Sequence, residues 1–197
     1  MALKLASIFF TMILVDNYVL SKFLGICPFL GVSKKLDSAV GMSLAVTFVM
    51  VMATAATWPI YNLILDPNGL GYLQTIVFIL IIAILVQLLE SILKKYIPTL
   101  YSSLGVYLPL ITTNCAILGV TILNIDNGYN FAESIVCAAG SGIGFLVAMV
   151  LFSGVRRKVE AAKPPKCFEG LPITLVAAAM TSMSFMGFGG IVEAIFM

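Results

Sequence analysis

The sequence predicts an all-α, polytopic membrane protein with six transmembrane helices. Of its 197 residues, 61% are hydrophobic and only 10% are charged, and the mean hydropathy is +1.11. An average soluble domain is about 45–50% apolar and about 25% charged. The apolar residues form six long stretches, and the charges of the short connections alternate. We therefore expect a single membrane domain over residues 1–197, with no separate catalytic, nucleotide-binding or nucleic-acid-binding domain.

The six apolar stretches are each long enough to cross the hydrocarbon core, which takes about 20 residues of helix. Helices are expected because lipid offers no partner for free backbone groups. The stretches are apolar on all sides, whereas strands of a membrane barrel alternate with polar residues. The start of the chain lacks a small-residue cleavage site and is interpreted as a retained first span. The predicted spans cover residues 5–24, 39–65, 72–93, 100–123, 131–153 and 171–196.

The connections between these spans alternate in charge. The first, third and fifth are basic, whereas the second and fourth each carry a single Asp. Since positive connections stay in the cytoplasm, both termini are predicted on the extracytoplasmic side. Residues 158–170 are predicted to be a surface loop that meets lipid headgroups or a cytoplasmic subunit. The basic residues are Lys34, Lys35, Lys94, Lys95, Arg156, Arg157, Lys158, Lys163 and Lys166.

A short motif, C-x-x-L-G-V, occurs once in each half of the chain. It begins at Cys27 and again at Cys115, in or just after the first span of a three-span half. Because three is odd, the second half must run in the opposite direction. The sequence therefore predicts two inverted three-helix repeats, residues 1–96 and 97–197, with broken helices meeting near the membrane centre.

Both motifs contain features that interrupt a helix. Gly25, Pro28 and Gly31 bracket the first cysteine, and proline lacks a backbone donor. Residues 5–36 are too long for one simple span and fit a half-helix, a turn and a second half-helix. In the second motif the polar run at residues 112–114 is costly in lipid unless it faces protein or a cavity.

The two repeated cysteines are the strongest candidates for chemistry. The chain contains no His, which excludes His-ligated haem, His-based zinc sites and a His general base. Two thiolates cannot complete a [2Fe–2S] cluster, which takes four ligands, but a sister subunit could supply the other two. A structural, redox-inert pair is the alternative. Cys137 is expected to pack within a small-residue helix face at residues 140–144, and Cys167 has no predicted role.

Four segments together resemble the signatures of a known family. They are residues 22–36 (KFLGICPFLGVSKKL), 98–101 (PTLY), 108–116 (LPLITTNCA) and 185–188 (FMGF). The chain resembles the family that contains the A subunit of the Rnf electron-transport complex and the E subunit of the sodium-pumping NADH:quinone oxidoreductase. The Cys-Pro-Phe and Gly-Val of the first segment are more similar to the Rnf member, and the resemblance covers nearly the whole chain.

The resemblance implies a function in electron transfer. The Rnf complex passes electrons between reduced ferredoxin and NAD and couples this to Na⁺ or H⁺ movement across the bacterial cytoplasmic membrane. Its A and E subunits form a pseudo-symmetric pair of opposite orientation, and each contributes two Cys to one [2Fe–2S] cluster inside the membrane. Cys27 and Cys115 match those ligands. Flavins, haem and catalytic residues are not expected on this chain, which would be inactive without the B, C, D, E and G subunits.

Backbone N–H groups freed by the helix breaks are candidate donors to the cluster sulfurs. The nearest are those of Gly25, Ile26, Thr113 and Asn114. Asp16 is placed within the first span, where an acid is usually paired or functional; an ion site and a structural hydrogen bond are both open for it.

Two other classes of function share some of these features. A small secondary transporter would also have inverted repeats and broken helices, but it has no need for sulfur at both breaks. A structural membrane scaffold would tolerate serine at Cys27 and Cys115 without loss of colour or turnover.

Overall fold

The computed structural model describes residues 2–33, 36–96, 111, 114–162, 165 and 170–187. Within these residues the regular structure is helical, as the sequence predicts. A π-helical turn, Tyr61–Leu65, and a short 3₁₀ turn, Gly71–Leu73, join the third and fourth helices. The helices are α1 (Ala2–Leu14), α2 (Ile26–Val32), α3 (Leu36–Ile60), α4 (Gln74–Tyr96), α5 (Cys115–Asp126), α6 (Phe131–Ala161) and α7 (Leu171–Met186).

Three helical segments in the described part of the chain are long and apolar enough to cross a membrane. They are Leu36–Leu65, Gly71–Ile92 and Phe131–Val159. Shorter apolar helices, Lys4–Leu14, Cys115–Asp126 and Leu171–Met186, occupy the other three predicted stretches. The count of six crossings and the inverted repeat stay predictions, because residues 97–110 and 188–197 lie outside the described residues.

The helical stretch at residues 5–36 is interrupted, as its length predicts. Helix α1 ends at Leu14, and residues 15–25 form a series of turns before α2 begins. Buried Asn17 fixes this connection, because its Nδ2 donates to the carbonyl of Gly144 at 2.8 Å and its Oδ1 accepts from the N–H of Val19 at 3.1 Å. A buried non-helical segment needs such internal partners in a membrane protein.

The position of the break differs from the sequence prediction. Pro28 and Gly31 lie inside α2. Pro28 is in the first turn of that helix, where no backbone N–H has an intrahelical acceptor, so its missing donor is tolerated. Asp16 lies in the non-helical connection between α1 and α2, half-exposed and 4.0 Å from the amino group of Lys22.

Helix α6 lies at the centre of the packing, against α3 on one side and α1 on another. Small residues in α6 allow α3 and α1 to approach it closely. A Cβ added to Gly142 would lie 2.4 Å from Cγ2 of Thr47 in α3, and one added to Gly144 would lie 3.0 Å from the carbonyl oxygen of Met12 in α1. Cys137 is fully buried. The predicted small-residue packing face, including its cysteine, is therefore confirmed.

Two contacts connect elements at the end of the molecule where α6 begins. The amino group of Lys4 lies 2.8 Å from a carboxylate oxygen of Glu133, which also closes the capping box of α6. The indole N–H of Trp58, near the end of α3, donates to the carbonyl of Tyr129 at 3.0 Å. The start of α1, the end of α3 and the start of α6 therefore lie at the same end of the molecule.

The opposite end of α6 corrects the predicted fifth connection. Helix α6 continues to Ala161, so Arg156, Arg157 and Lys158 belong to its last turns and not to a loop. Cations are favoured there because they complement the negative end of the helix dipole. Residues 163, 164 and 166–169, including Cys167, lie outside the described residues.

Candidate functional site

Cys27 and Cys115 each lie in the first turn of a helix. Cys27 is the second residue of α2, whose N-cap is Gly25, and Cys115 is the first residue of α5, whose N-cap is Asn114. Backbone N–H groups in a first turn have no intrahelical acceptor and point out of the helix end. Each cysteine therefore lies at a helix end whose backbone N–H groups have no intrahelical acceptor.

A direct hydrogen bond connects the two cysteine segments. The backbone N–H of Gly25 donates to Sγ of Cys115 at 2.9 Å, so the segment that leads into Cys27 reaches the second cysteine. Both thiols are exposed, whereas their neighbours Pro28 and Ala116 are buried. Two sulfurs are thus presented at the surface of the chain on a buried framework.

Gly25 is required at this contact for two reasons. Its φ is +86°, a left-handed conformation that side chains with a Cβ rarely adopt. A Cβ there would also lie 3.1 Å from Cε2 of Phe145 and 3.2 Å from both Cβ of Ala116 and Oδ1 of Asn114. The backbone can approach Cys115 only because this residue has no side chain.

The glycines of the two C-x-x-L-G-V motifs have different surroundings. A Cβ on Gly119 would lie 2.6 Å from Cδ1 of Leu24, so this glycine lets the first segment pack against α5. No heavy atom lies within 4 Å of the corresponding position on Gly31. The repeat predicts that both cysteines lie near a helix break, and both lie in a first turn, but the packing around the two motifs is not identical.

The side chain of Asn114 caps α5. Its Oδ1 accepts from the N–H of Ala116 at 3.1 Å, while its own backbone N–H donates to the carbonyl of Ile111 at 3.2 Å. The predicted backbone donor of Asn114 is therefore already engaged. The backbone N–H of Ile26 lies in the first turn of α2 and has no intrahelical acceptor, and Thr113 lies outside the described residues.

Arg156 fixes the far end of α2, a role that sequence reasoning missed. Its side chain is buried and donates to the carbonyl of Leu30 and to the hydroxyl of Ser33, the latter at 2.8 Å. A cation at the last carbonyls of a helix satisfies them and complements the dipole. The signal that could have found it is an arginine directly after an apolar span in a chain with few charges.

Asn17 and the Asn114 side chain were also missed as structural anchors. For Asn114 a sequence signal exists, because Asn is a preferred N-cap residue and stands here directly before an apolar helix. For Asn17 the partner is the carbonyl of Gly144, far away in the sequence, and no local pattern indicates that contact.

No group of three or more His, Cys, Asp or Glu residues is close enough to hold a metal ion within the described part of the chain. A metal centre at Cys27 and Cys115 would therefore need ligands from outside these residues. The exposure of both thiols leaves them accessible to such ligands.

Comparison with known proteins identifies the family. The model of the family described as "Rnf-Nqr subunit, membrane protein" matches residues 5–192. The chain is 57% identical to the A subunit of the Na⁺-translocating ferredoxin:NAD⁺ oxidoreductase complex of Acetobacterium woodii, over 95% of this chain and 98% of that protein. It is 54% identical to the A subunit of the ion-translocating oxidoreductase complex of Syntrophotalea carbinolica, over 91% of this chain and 93% of that one.

A third relative, the A subunit of the ion-translocating oxidoreductase complex of Aliivibrio fischeri, is 50% identical over 92% of this chain and 94% of its own length. These similarities extend over nearly the whole chain, and the range matched by the family model includes both cysteine segments. The chain therefore belongs to the Rnf-Nqr family of membrane proteins.

Proposed function

We propose that this chain is the electron-transferring A subunit of an Rnf-type ion-translocating oxidoreductase complex in the membrane. In this proposal Cys27 and Cys115 supply two ligands to a [2Fe–2S] cluster that a sister subunit completes. The observation that carries the proposal is the 2.9 Å hydrogen bond from Gly25 to Sγ of Cys115. This hydrogen bond brings the segment that leads into Cys27 to the sulfur of Cys115.

The donor set of the chain fits half of such a cluster. A [2Fe–2S] cluster takes four cysteine thiolates, and the chain offers two exposed thiols in the first turns of α2 and α5. The other two would come from the pseudo-symmetric E subunit. Neighbouring backbone N–H groups are suited to the sulfurs of a cluster, because hydrogen bonds to sulfur are among the factors that set its potential.

The names of the relatives support membership of the complex. The relatives are subunits of ion-translocating complexes, one of them a Na⁺-translocating ferredoxin:NAD⁺ oxidoreductase. We infer that this chain assembles with the B, C, D, E and G subunits in the bacterial cytoplasmic membrane. It takes part in coupling electron transfer between ferredoxin and NAD to Na⁺ or H⁺ movement, and it has no activity alone.

Six membrane crossings in an inverted repeat are part of this proposal. The start of α1, the end of α3 and the start of α6 are in contact at one face. The ends of α2 and α6 are in contact through Arg156. Six alternating crossings would place the two termini and the second and fourth connections on one side of the membrane. The first and fifth connections would then lie together on the other side. The contacts agree with that grouping, and the positive-inside rule is the reason for proposing both termini on the extracytoplasmic side.

The cluster, when bound, would supply one-electron redox chemistry inside a hydrocarbon core about 30 Å thick. The residues of this chain hold and orient its ligands. Gly25 donates to the sulfur of Cys115, Asn114 caps the helix that begins with that cysteine, and Arg156 holds α2 at its opposite end. Phe29 and Phe145 are buried on the inner side of the two cysteine segments. Their rings exclude water from that side.

Iron and acid-labile sulfide in the purified complex test this proposal. We expect Cys27→Ser and Cys115→Ser to lose the equivalent of one [2Fe–2S] cluster, with the subunits still assembled. The matched control is Cys137→Ser, at the buried cysteine of α6, which should keep the full content. Full iron and sulfide in Cys27→Ser and Cys115→Ser would overturn the proposal, and ion flux without an electron donor would then favour the transporter hypothesis.

A further inference from the structure

The amide of Asn114 has a fixed orientation. Its Oδ1 accepts the N–H of Ala116 at 3.1 Å as the N-cap of α5. Because only the oxygen of the amide can accept a hydrogen bond, the Nδ2 group must point away from Ala116. The cap therefore determines which way the two N–H donors of this side chain face.

The Nδ2 group of Asn114 is buried and lacks an acceptor in the described structure. The residue is 4% exposed, and Nδ2 has no hydrogen-bond partner. Leaving a buried donor unpaired costs about 1–3 kcal/mol, so such a group calls for an explanation. An acceptor that binds beside it would remove this cost.

The surroundings of Asn114 indicate what that acceptor is. The residue directly precedes Cys115, and its amide packs against Gly25, since a Cβ on Gly25 would lie 3.2 Å from Oδ1 of Asn114. Gly25 in turn donates its N–H to Sγ of Cys115. The orphaned amide therefore belongs to the immediate environment of this sulfur.

We propose that Asn114 is a positioning residue whose Nδ2 donates a hydrogen bond to a sulfur of the bound cluster, either a bridging sulfide or a ligand sulfur. The inference rests on the proposed function. A donor to sulfur stabilises the reduced, more negative form and so raises the reduction potential. The side chain of Asn114 then has two functions, because its oxygen holds α5 and its nitrogen sets the potential.

Asn124 provides a matched comparison in the same helix. It is also buried, 1% exposed, but its Nδ2 donates to the carbonyl of Ser134 at 3.3 Å. Its unpartnered atom in the described structure is the acceptor Oδ1. With a rise of about 1.5 Å per residue, its Cα lies about 15 Å along α5 from that of Asn114, so it should not influence the cluster.

The experiment is an EPR-monitored redox titration of the purified complex with Asn114→Asp, Asn114→Ser or Asn124→Ser. Asp and Ser both retain an oxygen for the N-cap, but neither carries the amide donor. We expect both Asn114 variants to keep their iron. Their reduced-to-oxidised ratio at the wild-type midpoint should fall by about tenfold, which is 59 mV for a one-electron couple. Asn124→Ser should titrate as the wild type.

A wild-type midpoint in Asn114→Ser, or an equal shift in Asn124→Ser, would overturn the role of Asn114 while the cluster itself remains. A wild-type complex without a cluster would overturn the proposed function and this inference together. Pulsed EPR of the wild type with ¹⁵N-amide-labelled asparagine provides a test without variants. A side-chain nitrogen coupled to the reduced cluster is expected, and its absence would contradict the inference.

Discussion

At the scale of single residues, individual hydrogen-bonding atoms hold the distant segments of Cys27 and Cys115 in place. The N–H of Gly25 meets Sγ of Cys115, and the oxygen of Asn114 completes the first turn behind that sulfur. Neither contact involves a charged side chain. The geometry at the sulfur therefore depends on the backbone conformation of Gly25 and on the side-chain cap of Asn114.

Gly25→Ala tests the close packing around the left-handed backbone at this contact. A Cβ at φ +86° would meet Phe145, Ala116 and Asn114, and a left-handed residue with a Cβ costs roughly 1–2 kcal/mol before any clash. We expect a lower thermal midpoint of the complex and loss of iron. Gly69→Ala is the control, because Gly69 also has a positive φ, +65°, but nothing within 4 Å of its Cβ position. Equal effects of the two variants would contradict this account.

The recurrence of the C-x-x-L-G-V motif singled out Cys27 and Cys115, and Gly25, just before the first motif, was predicted to interrupt the helix and to offer a backbone donor to sulfur, as its bond to Cys115 shows. The sequence did not predict that Asn114 acts through its side chain. The backbone N–H of Asn114 is engaged by the carbonyl of Ile111, a contact that depends on the local path of the chain. Cys115 and Gly25 are far apart in the sequence, so the bond between them is set by tertiary packing.

At the scale of elements, α2 is a short helix fixed at both ends. Its seven residues are too few for stability by helix propensity alone. Gly25 and the packing of Phe29 on Phe152, with ring centroids 4.2 Å apart, hold the first part. Arg156 binds the carbonyl of Leu30 at the other end. The orientation of Cys27 therefore depends on residues of α6.

Arg156→Gln should loosen α2. The variant loses charge-assisted hydrogen bonds to Leu30 and Ser33, each worth about 1.5–3 kcal/mol. We expect faster reaction of the Cys27 thiol with maleimide in the apo-complex and a lower thermal midpoint. Arg157→Gln, at the exposed neighbouring position, should leave both unchanged. An unchanged rate in Arg156→Gln would show that Arg156 does not hold the helix.

Gly142→Ala tests the close approach of α6 and α3. A Cβ there would lie 2.4 Å from Cγ2 of Thr47, so the helices must separate. We expect a drop in the thermal midpoint of the complex. Gly154→Ala, in the same helix but with nothing within 4 Å of its Cβ position, should be neutral or stabilising, because Ala exceeds Gly in helix propensity by about 1 kcal/mol. A stabilising Gly142→Ala would contradict the packing.

The boundaries of α6 show where sequence patterns are insufficient. The apolar stretch predicts an end near residue 153, whereas the helix continues to Ala161. Hydropathy marks the part that suits lipid, but a helix continues as long as its backbone hydrogen bonds and its dipole are satisfied. The basic residues of the last turns complement the helix dipole. Arg156 is buried against the end of α2, a contact that no local sequence pattern reveals.

At the scale of the whole molecule, contacts at the two ends of α6 sort the connections into two groups. They join the start of α1 and the end of α3 to the start of α6, and the end of α2 to the end of α6. The alternating charges of the connections predict the same grouping. Composition and charge were sufficient to predict the helical membrane class, since both follow from the solvent the chain must occupy.

Labelling of single introduced cysteines in intact cells tests this arrangement. In a chain with its native cysteines replaced, we expect Asn68→Cys in the second connection to react with a membrane-impermeant maleimide added outside. Arg157→Cys should react only after the membrane is opened, because the positive-inside rule places the basic end of α6 in the cytoplasm. External labelling of Arg157→Cys, or of both positions, would contradict the six-crossing topology.

Low-temperature EPR of the purified complex after addition of reduced ferredoxin tests most directly whether Cys27 and Cys115 hold the cluster. We expect a reduced [2Fe–2S] signal in the wild type and in Cys137→Ser, and its loss in Cys115→Ser, whose sulfur accepts the N–H of Gly25. A full signal in an assembled Cys115→Ser complex would show that the electrons pass elsewhere and that these cysteines do not hold the cluster.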